Sequence, residues 1–306
     1  MPYKIEMVLN IGSTLGEGAY WDYIAKRLYW VDILQKKLHI YNPETGSNEE
    51  HLFDQFVSSV VVSRYGGLVL TLKDGFYSYS PKTRELRLIA APESQEADNR
   101  FNDGKCDAAG RFFAGTMNLS GKREAGRLYR LNTDGSIDIV LEKVSISNGI
   151  IWSCDNKTMY YTDTMTREIS AYEYDLSSGE VGKRQVVVSI PEEEGLPDGM
   201  TIDEEGMLWV ALWGGGKVSR YNPDTGNKIT EIPFYSNYIT SCAFGGANLD
   251  ELYITTANEN NADSRTAGGL FKVKPGVKGV PAHKCGIQIR DRGVYRGRDK
   301  LDAIER

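Results

Sequence analysis

The feature that most constrains the fold of this chain is a strand pattern that repeats every 40 to 49 residues. Each repeat contains a strong strand that opens on a pair of apolar residues. The six pairs are Leu28-Tyr29, Leu68-Val69, Phe112-Phe113, Met159-Tyr160, Leu208-Trp209 and Leu252-Tyr253. Repeats of roughly 40–50 residues are typical of propeller blades, each of which is a small four-stranded sheet.

The turns inside the repeats support the same interpretation. A third strand in each repeat ends in a polar turn, as in Asn42-Pro43-Glu44-Thr45-Gly46 and Asn222-Pro223-Asp224-Thr225-Gly226. Asn, Asp and Gly suit hairpin turns because they tolerate positive φ and bond to the nearby backbone. Helical periodicity is almost absent. The sequence therefore predicts an all-β, six-bladed propeller with four-stranded antiparallel blades around a central channel.

A ring of blades needs a strand from each end of the chain to close it. The strand-like stretch 3–9 is the candidate that completes the last blade, so we expect residues 1–283 to form a single domain. From Lys284 to Arg306 the chain is rich in Arg, Lys and Asp and shows no repeat. For 284–306 we expect a mobile tail or an expression remnant rather than a partner-binding arm.

Composition limits the possible partners and the compartment. The formal net charge of −6 argues against nucleic acid or an anionic membrane as the main partner. No apolar stretch is long enough to span a membrane, and the N-terminus does not resemble a signal peptide. The four cysteines are far apart without a CxxC pair, which fits a reducing cytosol. We expect a cytoplasmic protein that is a monomer or a weak dimer.

The start of the innermost strand should lie ten or eleven residues before each strand marker. We call these positions the leading slots, and they hold Glu17, Ser58, Asn102, Asn148, Asp198 and Ser241. In a propeller the innermost strands line the channel, so residues in the same slot of different blades converge on one mouth.

Four leading slots carry oxygen donors, namely Glu17, Asn102, Asn148 and Asp198. Carboxylate and amide oxygens without His or thiolate favour a hard cation such as Ca²⁺, Mg²⁺ or Mn²⁺, although Zn²⁺ also accepts carboxylates. These side chains are too few for calcium, so water or substrate would complete the shell. The competing interpretation is that Asn or Asp before Gly merely forms a turn. The occurrence of all four at one blade phase favours a site.

Several motifs in order resemble the family of senescence marker protein 30 (regucalcin), gluconolactonase and luciferin-regenerating enzyme. The resemblance runs from about Leu15 to Gly279. The motifs are Leu15-Gly16-Glu17-Gly18 followed by Trp21-Asp22, Arg100-Phe101-Asn102-Asp103-Gly104-Lys105, Ile146-Ser147-Asn148-Gly149, Leu196-Pro197-Asp198-Gly199-Met200 and Ser241-Cys242-Ala243-Phe244-Gly245-Gly246.

The resemblance implies one divalent cation (Ca²⁺, Zn²⁺, Mn²⁺ or Mg²⁺) held by Glu17, Asn148 and Asp198. It also implies substrate contacts from Arg100 and Asn102, and a sugar lactone as substrate. The implied reaction is lactone hydrolysis, in which the cation polarises the carbonyl and Asp198 activates the attacking water. Arg100 would hold sugar hydroxyls or the product carboxylate.

One departure from the family pattern concerns specificity. Animal members carry an acidic residue a few positions after Gly-Thr-Met, and Ser120 occupies that position here. We therefore expect Ser120 to contact substrate while sugar specificity differs, with Arg123 or Glu124 as candidates to fill the gap. Two other functions remain open. The chain could hydrolyse another ester or a phosphotriester at the same cation, or it could be a non-enzymatic calcium-binding regulatory propeller.

Overall fold

The computed structural model describes residues 3–258 and 266–288, and in these ranges the chain forms six four-stranded antiparallel sheets. The strands of the first three blades are β2 (Gly16–Asp22), β3 (Arg27–Asp32), β4 (Lys37–Asn42), β5 (Ser47–Leu52); β6 (Val57–Val62), β7 (Leu68–Leu72), β8 (Phe76–Ser80), β9 (Glu85–Ala90); β10 (Asn99–Cys106), β11 (Phe112–Asn118), β12 (Gly126–Leu131), β13 (Ile137–Val144). Those of the last three are β14 (Ser147–Trp152), β15 (Thr158–Asp163), β16 (Glu168–Asp175), β17 (Glu180–Ser189); β18 (Leu196–Ile202), β19 (Leu208–Trp213), β20 (Lys217–Tyr221), β21 (Lys228–Pro233); β22 (Ile239–Gly245), β23 (Glu251–Thr256), β24 (Leu270–Val273) and β1 (Glu6–Leu9).

The ring is closed by the N-terminal strand, as predicted. β1 pairs antiparallel with β24 as the outer strand of the sixth blade, with Glu6 opposite Lys272 and Met7 opposite Phe271. The six innermost strands, β2, β6, β10, β14, β18 and β22, contact their neighbours all the way round. The six-bladed β-propeller predicted from the repeats is confirmed.

The predicted turns form as their residue types require. The N–H groups of Gly46 and Gly226 donate to the carbonyls of Asn42 and Asn222, each over 2.8 Å, and both glycines have positive φ. Each asparagine side chain also accepts a backbone N–H two residues later, which holds the turn from inside.

The apolar cores lie between neighbouring blades rather than within one. Separate clusters join blades 1 to 3, 3 and 4, 4 and 5, 5 and 6, and 6 and 1. Phe113 meets Trp152 across blades 3 and 4 with ring centroids 5.0 Å apart. Inner strands such as β2 are buried along their length, whereas β9 is mostly exposed. Burial therefore increases towards the channel and fixes the inner strands most firmly.

Helical structure in the described ranges consists of two short 3-10 helices, Thr164–Thr166 and Glu192–Glu194. No helix within residues 3–258 and 266–288 is long and apolar enough to cross a bilayer. All four cysteines are free thiols.

The first residues of the predicted tail pack against the propeller. Cys285 and Ile287 are buried in the apolar cluster of blades 1 to 3. The backbone of Cys285 forms an isolated β-bridge with Ser63. The rest of the predicted tail, 289–306, lies outside the described residues.

We call the face where the innermost strands begin the upper face, and the face where they end the lower face.

Candidate functional site

All six leading slots lie on innermost strands, each at an irregularity in the pairing with the next strand. In β14 the irregularity falls between Ser147 and Ile150, and in β18 between Pro197 and Met200. A bulge of this kind re-aims a side chain without ending the strand. Asn148 and Asp198 therefore sit inside strands, and the interpretation of these two residues as turn formers is wrong.

A cavity of about 220 Å³ opens at the upper face, where these strands begin. Its polar lining comprises Glu17, Arg100, Asn102, Asn148, Asp198 and Thr164. The first five are residues that the sequence predicted for the site, and all five are buried. Thr164 was not predicted. The cavity thus brings together the implied cation ligands and the implied substrate-binding residues of the third blade.

The remaining predicted positions lie elsewhere. Ser58 and Ser241 are buried in the channel but are absent from the described lining of this cavity. Ser120 is also absent from that lining, and it is exposed. Its hydroxyl donates to Asn118 Oδ1 over 2.6 Å at the end of β11.

The same cavity also has apolar walls. Its lining residues, which sequence reasoning missed, are Leu15, Met117, Ile146, Leu196 and Trp213. Met117 forms an isolated β-bridge with Ile146, and Trp213 forms one with Tyr238. The rings of Trp213 and Tyr238 also pack together, with centroids 4.6 Å apart. These contacts join neighbouring blades at the rim. A ligand would therefore meet both polar groups and apolar walls in this cavity.

The orientation of the Asn148 amide follows from its hydrogen bonds. Thr164 Oγ1 donates its single proton to the Pro197 carbonyl over 2.9 Å. It can therefore only accept from Asn148, whose Nδ2 lies 3.0 Å away. Asn148 Oδ1 is left buried with no hydrogen-bond partner among the described residues. Thr164 thus fixes the amide so that its oxygen is free to bind something else.

Asn102 differs from Asn148 although both occupy leading slots. Its Oδ1 accepts from Arg100 Nη1 over 2.7 Å, and its Nδ2 donates to the Ser147 carbonyl over 2.8 Å. The same Nη1 also donates to the Phe101 carbonyl. Both polar ends of Asn102 are therefore engaged, and its oxygen holds the guanidinium in place. Sequence spacing alone could not separate these two asparagines.

The two carboxyl groups of the cavity, Glu17 and Asp198, have raised pKa values. Burial, reinforced by the negative charge of Asp103, raises the pKa of Glu17 to about 8. Burial, reinforced by Glu17, also raises the pKa of Asp198. Burial lowers the pKa of Arg100 to about 10, so this side chain remains cationic at neutral pH. Additional positive charge between the carboxyl groups would favour their ionised forms.

The donor set suits a divalent cation of the hard type. Asp198 Oδ1, like Asn148 Oδ1, is buried without a partner among the described residues, and both residues line one cavity with Glu17. Oxygen donors of this kind match Ca²⁺, Mg²⁺ or Mn²⁺. Within residues 3–258 and 266–288 no three His, Cys, Asp or Glu side chains gather in a metal-binding arrangement. The site therefore depends on two carboxylates completed by the Asn148 amide.

Glycines that follow the leading slots let neighbouring inner strands approach each other. A Cβ on Gly149 would lie 2.6 Å from the Asp198 carbonyl oxygen, and one on Gly199 would lie 2.7 Å from Ser241 Oγ. Such distances are too short for real side chains. The Asn-Gly and Asp-Gly pairs thus belong to the packing of the channel and bring Asn148 and Asp198 together.

Comparison with known proteins identifies the family of the chain. Residues 15–258 match the family model described as the SMP-30/gluconolactonase/LRE-like region. The Bacillus subtilis (strain 168) protein YvrE, whose name describes a sugar lactone lactonase, is 44% identical to this chain over 267 residues. The match covers 86% of this chain and 91% of the Bacillus protein.

Two solved structures share the fold over nearly the whole chain. A luciferin-regenerating enzyme superposes with a TM-score of 0.88 at 30% identity, covering 93% of this chain and 100% of its own. A protein from Agrobacterium tumefaciens described as the calcium-binding protein regucalcin gives 0.87 at 27% identity, covering 94% and 99%. The chain therefore belongs to the SMP-30/gluconolactonase/LRE-like family.

Proposed function

We propose that this protein hydrolyses sugar lactones and requires a divalent cation for the reaction. The observation that carries the proposal is the pair of buried, unpartnered oxygens, Asn148 Oδ1 and Asp198 Oδ1, in one cavity with Glu17 and Arg100. The name of the Bacillus relative supports a sugar lactone as the substrate class.

Glu17, Asn148 and Asp198 would hold the cation. A bound divalent cation supplies Lewis-acid polarisation of the lactone carbonyl and favours the ionised form of both acids. Thr164 keeps the Asn148 oxygen turned towards the cavity. Supporting hydrogen bonds of this kind typically matter for metal affinity by about 10- to 100-fold.

Asp198 is proposed as the general base. It takes a proton from water while the water oxygen bonds to the lactone carbonyl carbon. The ring C–O bond then breaks, and the proton passes to the leaving oxygen, which becomes a hydroxyl of the product acid. This role needs an ionised Asp198, which is why the chemistry depends on positive charge nearby.

Arg100 and Asn102 act on the rest of the substrate. Arg100 is a buried cation held by Asn102 Oδ1, so it can bind lactone hydroxyls and then the carboxylate of the product. Ser120 lies outside the described cavity lining, so we assign it an outer contact with the far end of a substrate rather than with the lactone ring.

A second candidate function is cation binding without turnover. It is favoured by the description of the Agrobacterium structural neighbour as a calcium-binding protein. The buried Arg100 beside the two acids argues for a substrate, because a site that only binds a cation is weakened by a neighbouring positive charge. Hydrolysis of another ester or of a phosphotriester would use the same groups.

The test is glucono-δ-lactone hydrolysis by protein stripped with chelator, followed in a pH-stat near pH 6.5 with the spontaneous rate subtracted. We expect activity to be lost and to return with one or more of Ca²⁺, Mn²⁺, Zn²⁺ and Mg²⁺. Asp198→Asn should stay inactive with every metal. Full activity in the stripped protein would refute the cation requirement, whereas calcium binding without turnover of any lactone, ester or phosphotriester would favour the second candidate.

A further inference from the structure

A second cavity, of about 250 Å³, lies at the lower face, at the opposite end of the channel from the candidate active site. Trp21 in β2 and Trp152 in β14 line it, and each follows the leading slot of its strand by four residues. At roughly 3.3 Å per residue, four residues span about 13 Å. The lower cavity is therefore a separate compartment.

The lower cavity is covered by residues 278–287, which we call the C-terminal strap. The strap crosses the lower face and forms hydrogen bonds with five blades. The bonded pairs are Glu204 N to Lys278 O, Gly279 N to Leu249 O, Tyr20 Oη to His283 O, Cys285 N to Val62 O and Gly286 N to Gly110 O. Val280 to His283 form the part of the strap that lines the cavity. The cavity is thus built by two parts of the chain that are far apart in sequence.

Two hydrogen-bond donors in the described lining of this cavity have no acceptor. Trp21 Nε1 and Trp152 Nε1 are buried and have no hydrogen-bond partner in the described part of the chain. The only other unpartnered buried polar atom in the described lining is Asn156 Oδ1, on a half-exposed turn residue. Buried donors without partners are costly, so an acceptor bound in the cavity would be stabilised by them.

Lys105 adds a positive charge to the lining of the same cavity. It is half-buried, donates to the Met200 carbonyl and forms no salt bridge within residues 3–258 and 266–288. No Asp or Glu is among the described residues that line the cavity. The nearest acid along its strand is Asp103, towards the channel interior. The remaining lining is rich in apolar groups, including Ile151, Phe244 and Val280.

We propose that the lower cavity binds a small apolar monocarboxylate, with its carboxylate at Lys105 and its hydrocarbon part between the two tryptophans and the strap. The charge of Lys105 favours an anionic head, and the unpartnered indole donors in the same lining favour a ligand with acceptor atoms. The apolar walls and the volume select a short hydrocarbon body. This site is independent of lactone hydrolysis at the upper face.

The test is calorimetric titration of the full chain with octanoate and 2-naphthoate as probes, and with 1-octanol as a neutral match. We expect one site per chain for a carboxylate, and at least tenfold weaker binding of 1-octanol. Preference for the alkyl or the aryl acid identifies the kind of ligand. No carboxylate binding at millimolar concentration, or equal binding of 1-octanol, would overturn the proposal.

Variants localise the site. Lys105→Met should weaken carboxylate binding at least tenfold and leave 1-octanol unaffected, whereas Lys274→Met, at an exposed lysine away from the cavity, should change neither. Ala243→Leu fills the cavity from β22 and should weaken both probes. Should Ala243→Leu not fold, Ala282→Phe on the strap fills the same space from outside. Unchanged carboxylate binding in Lys105→Met or in a folded filling variant would refute this location.

Discussion

Asn148 Nδ2 donates to Thr164 Oγ1 over 3.0 Å, and this bond decides which end of the amide faces the cavity. Thr164→Val keeps the shape of the side chain but removes the hydroxyl. The amide can then rotate, and its buried Nδ2 loses a partner. We expect about 10-fold weaker cation binding and a comparable loss of lactonase activity, since supporting bonds of this kind matter at that scale. Calorimetric titration with Mn²⁺ and Ca²⁺ measures the affinity.

Thr164→Ser is the matched control for this prediction. It restores a hydroxyl and should recover most of the cation affinity, whereas a purely packing role would be served better by Val. Equal cation affinities of the Val variant and the parent would show that Thr164 does not position Asn148.

The metal-free protein should lose stability as the pH rises through the neutral range. The pKa of Glu17 is about 8 in the folded state against an ordinary value of 4.5, so the folded state holds a proton that the unfolded state has lost. The favourable contribution is complete below pH 4.5 and disappears as the pH rises through 8. Between pH 6.5 and 8 the contribution of Glu17 to the free energy of unfolding should fall by about 2 kcal/mol. Urea unfolding in chelator measures it.

Glu17→Gln and saturating cation provide two controls for the pH dependence. Both should make the profile shallower above pH 6.5, because the variant removes Glu17 and the cation stabilises its ionised form. Asp198, whose pKa is also raised by burial, keeps its own contribution in the variant. His39, whose pKa is lowered to about 4 by burial, destabilises the fold only below pH 6.5 and does not disturb this range. A chelated parent protein with the same profile as Glu17→Gln would contradict the prediction.

The fold was predictable because the strand markers recur every 40 to 49 residues and the turns between strands have similar residue types. Residues such as Asn42 and Gly46 indicate a hairpin from local sequence alone. The spacing of the hairpins along the chain then gives the number of blades. The blade phase also placed Glu17, Asn148 and Asp198 on innermost strands correctly. That result needed no knowledge of contacts between blades.

What the sequence could not provide depends on contacts between distant residues. Asn102 and Asn148 look alike in their motifs, but only Asn102 has a guanidinium on its oxygen. Thr164 lies in a 3-10 helix after β15, where no motif marks it, and its role depends on the Pro197 carbonyl 33 residues later. The position of Trp213 at the cavity likewise depends on its contact with Tyr238 of the next blade.

Arg100→Met should discriminate between substrates. The guanidinium is proposed to bind hydroxyl groups, so its loss should reduce kcat/KM for glucono-δ-lactone by about 10- to 100-fold, equivalent to one or two charge-assisted hydrogen bonds. For δ-valerolactone, which has no hydroxyl groups, the loss should be less than threefold. Steady-state kinetics at saturating cation give both values. Equal losses for the two lactones would show that Arg100 acts on the metal site or on the reaction step instead.

Gly149→Ala tests whether the spacing between inner strands controls the site. The new Cβ would lie 2.6 Å from the Asp198 carbonyl oxygen and 2.9 Å from Met200 Cε, so β14 and β18 must separate. Overpacking of this kind typically costs about 1–3 kcal/mol of stability. Because Asn148 and Asp198 move apart with the strands, cation affinity should also fall, as urea unfolding and calorimetry would measure. Gly182→Ala on the outer strand β17 meets only Glu173, within 3.1 to 3.6 Å, and should leave cation affinity unchanged. Parent-like cation affinity in a destabilised Gly149→Ala protein would separate strand spacing from cation binding and refute this link.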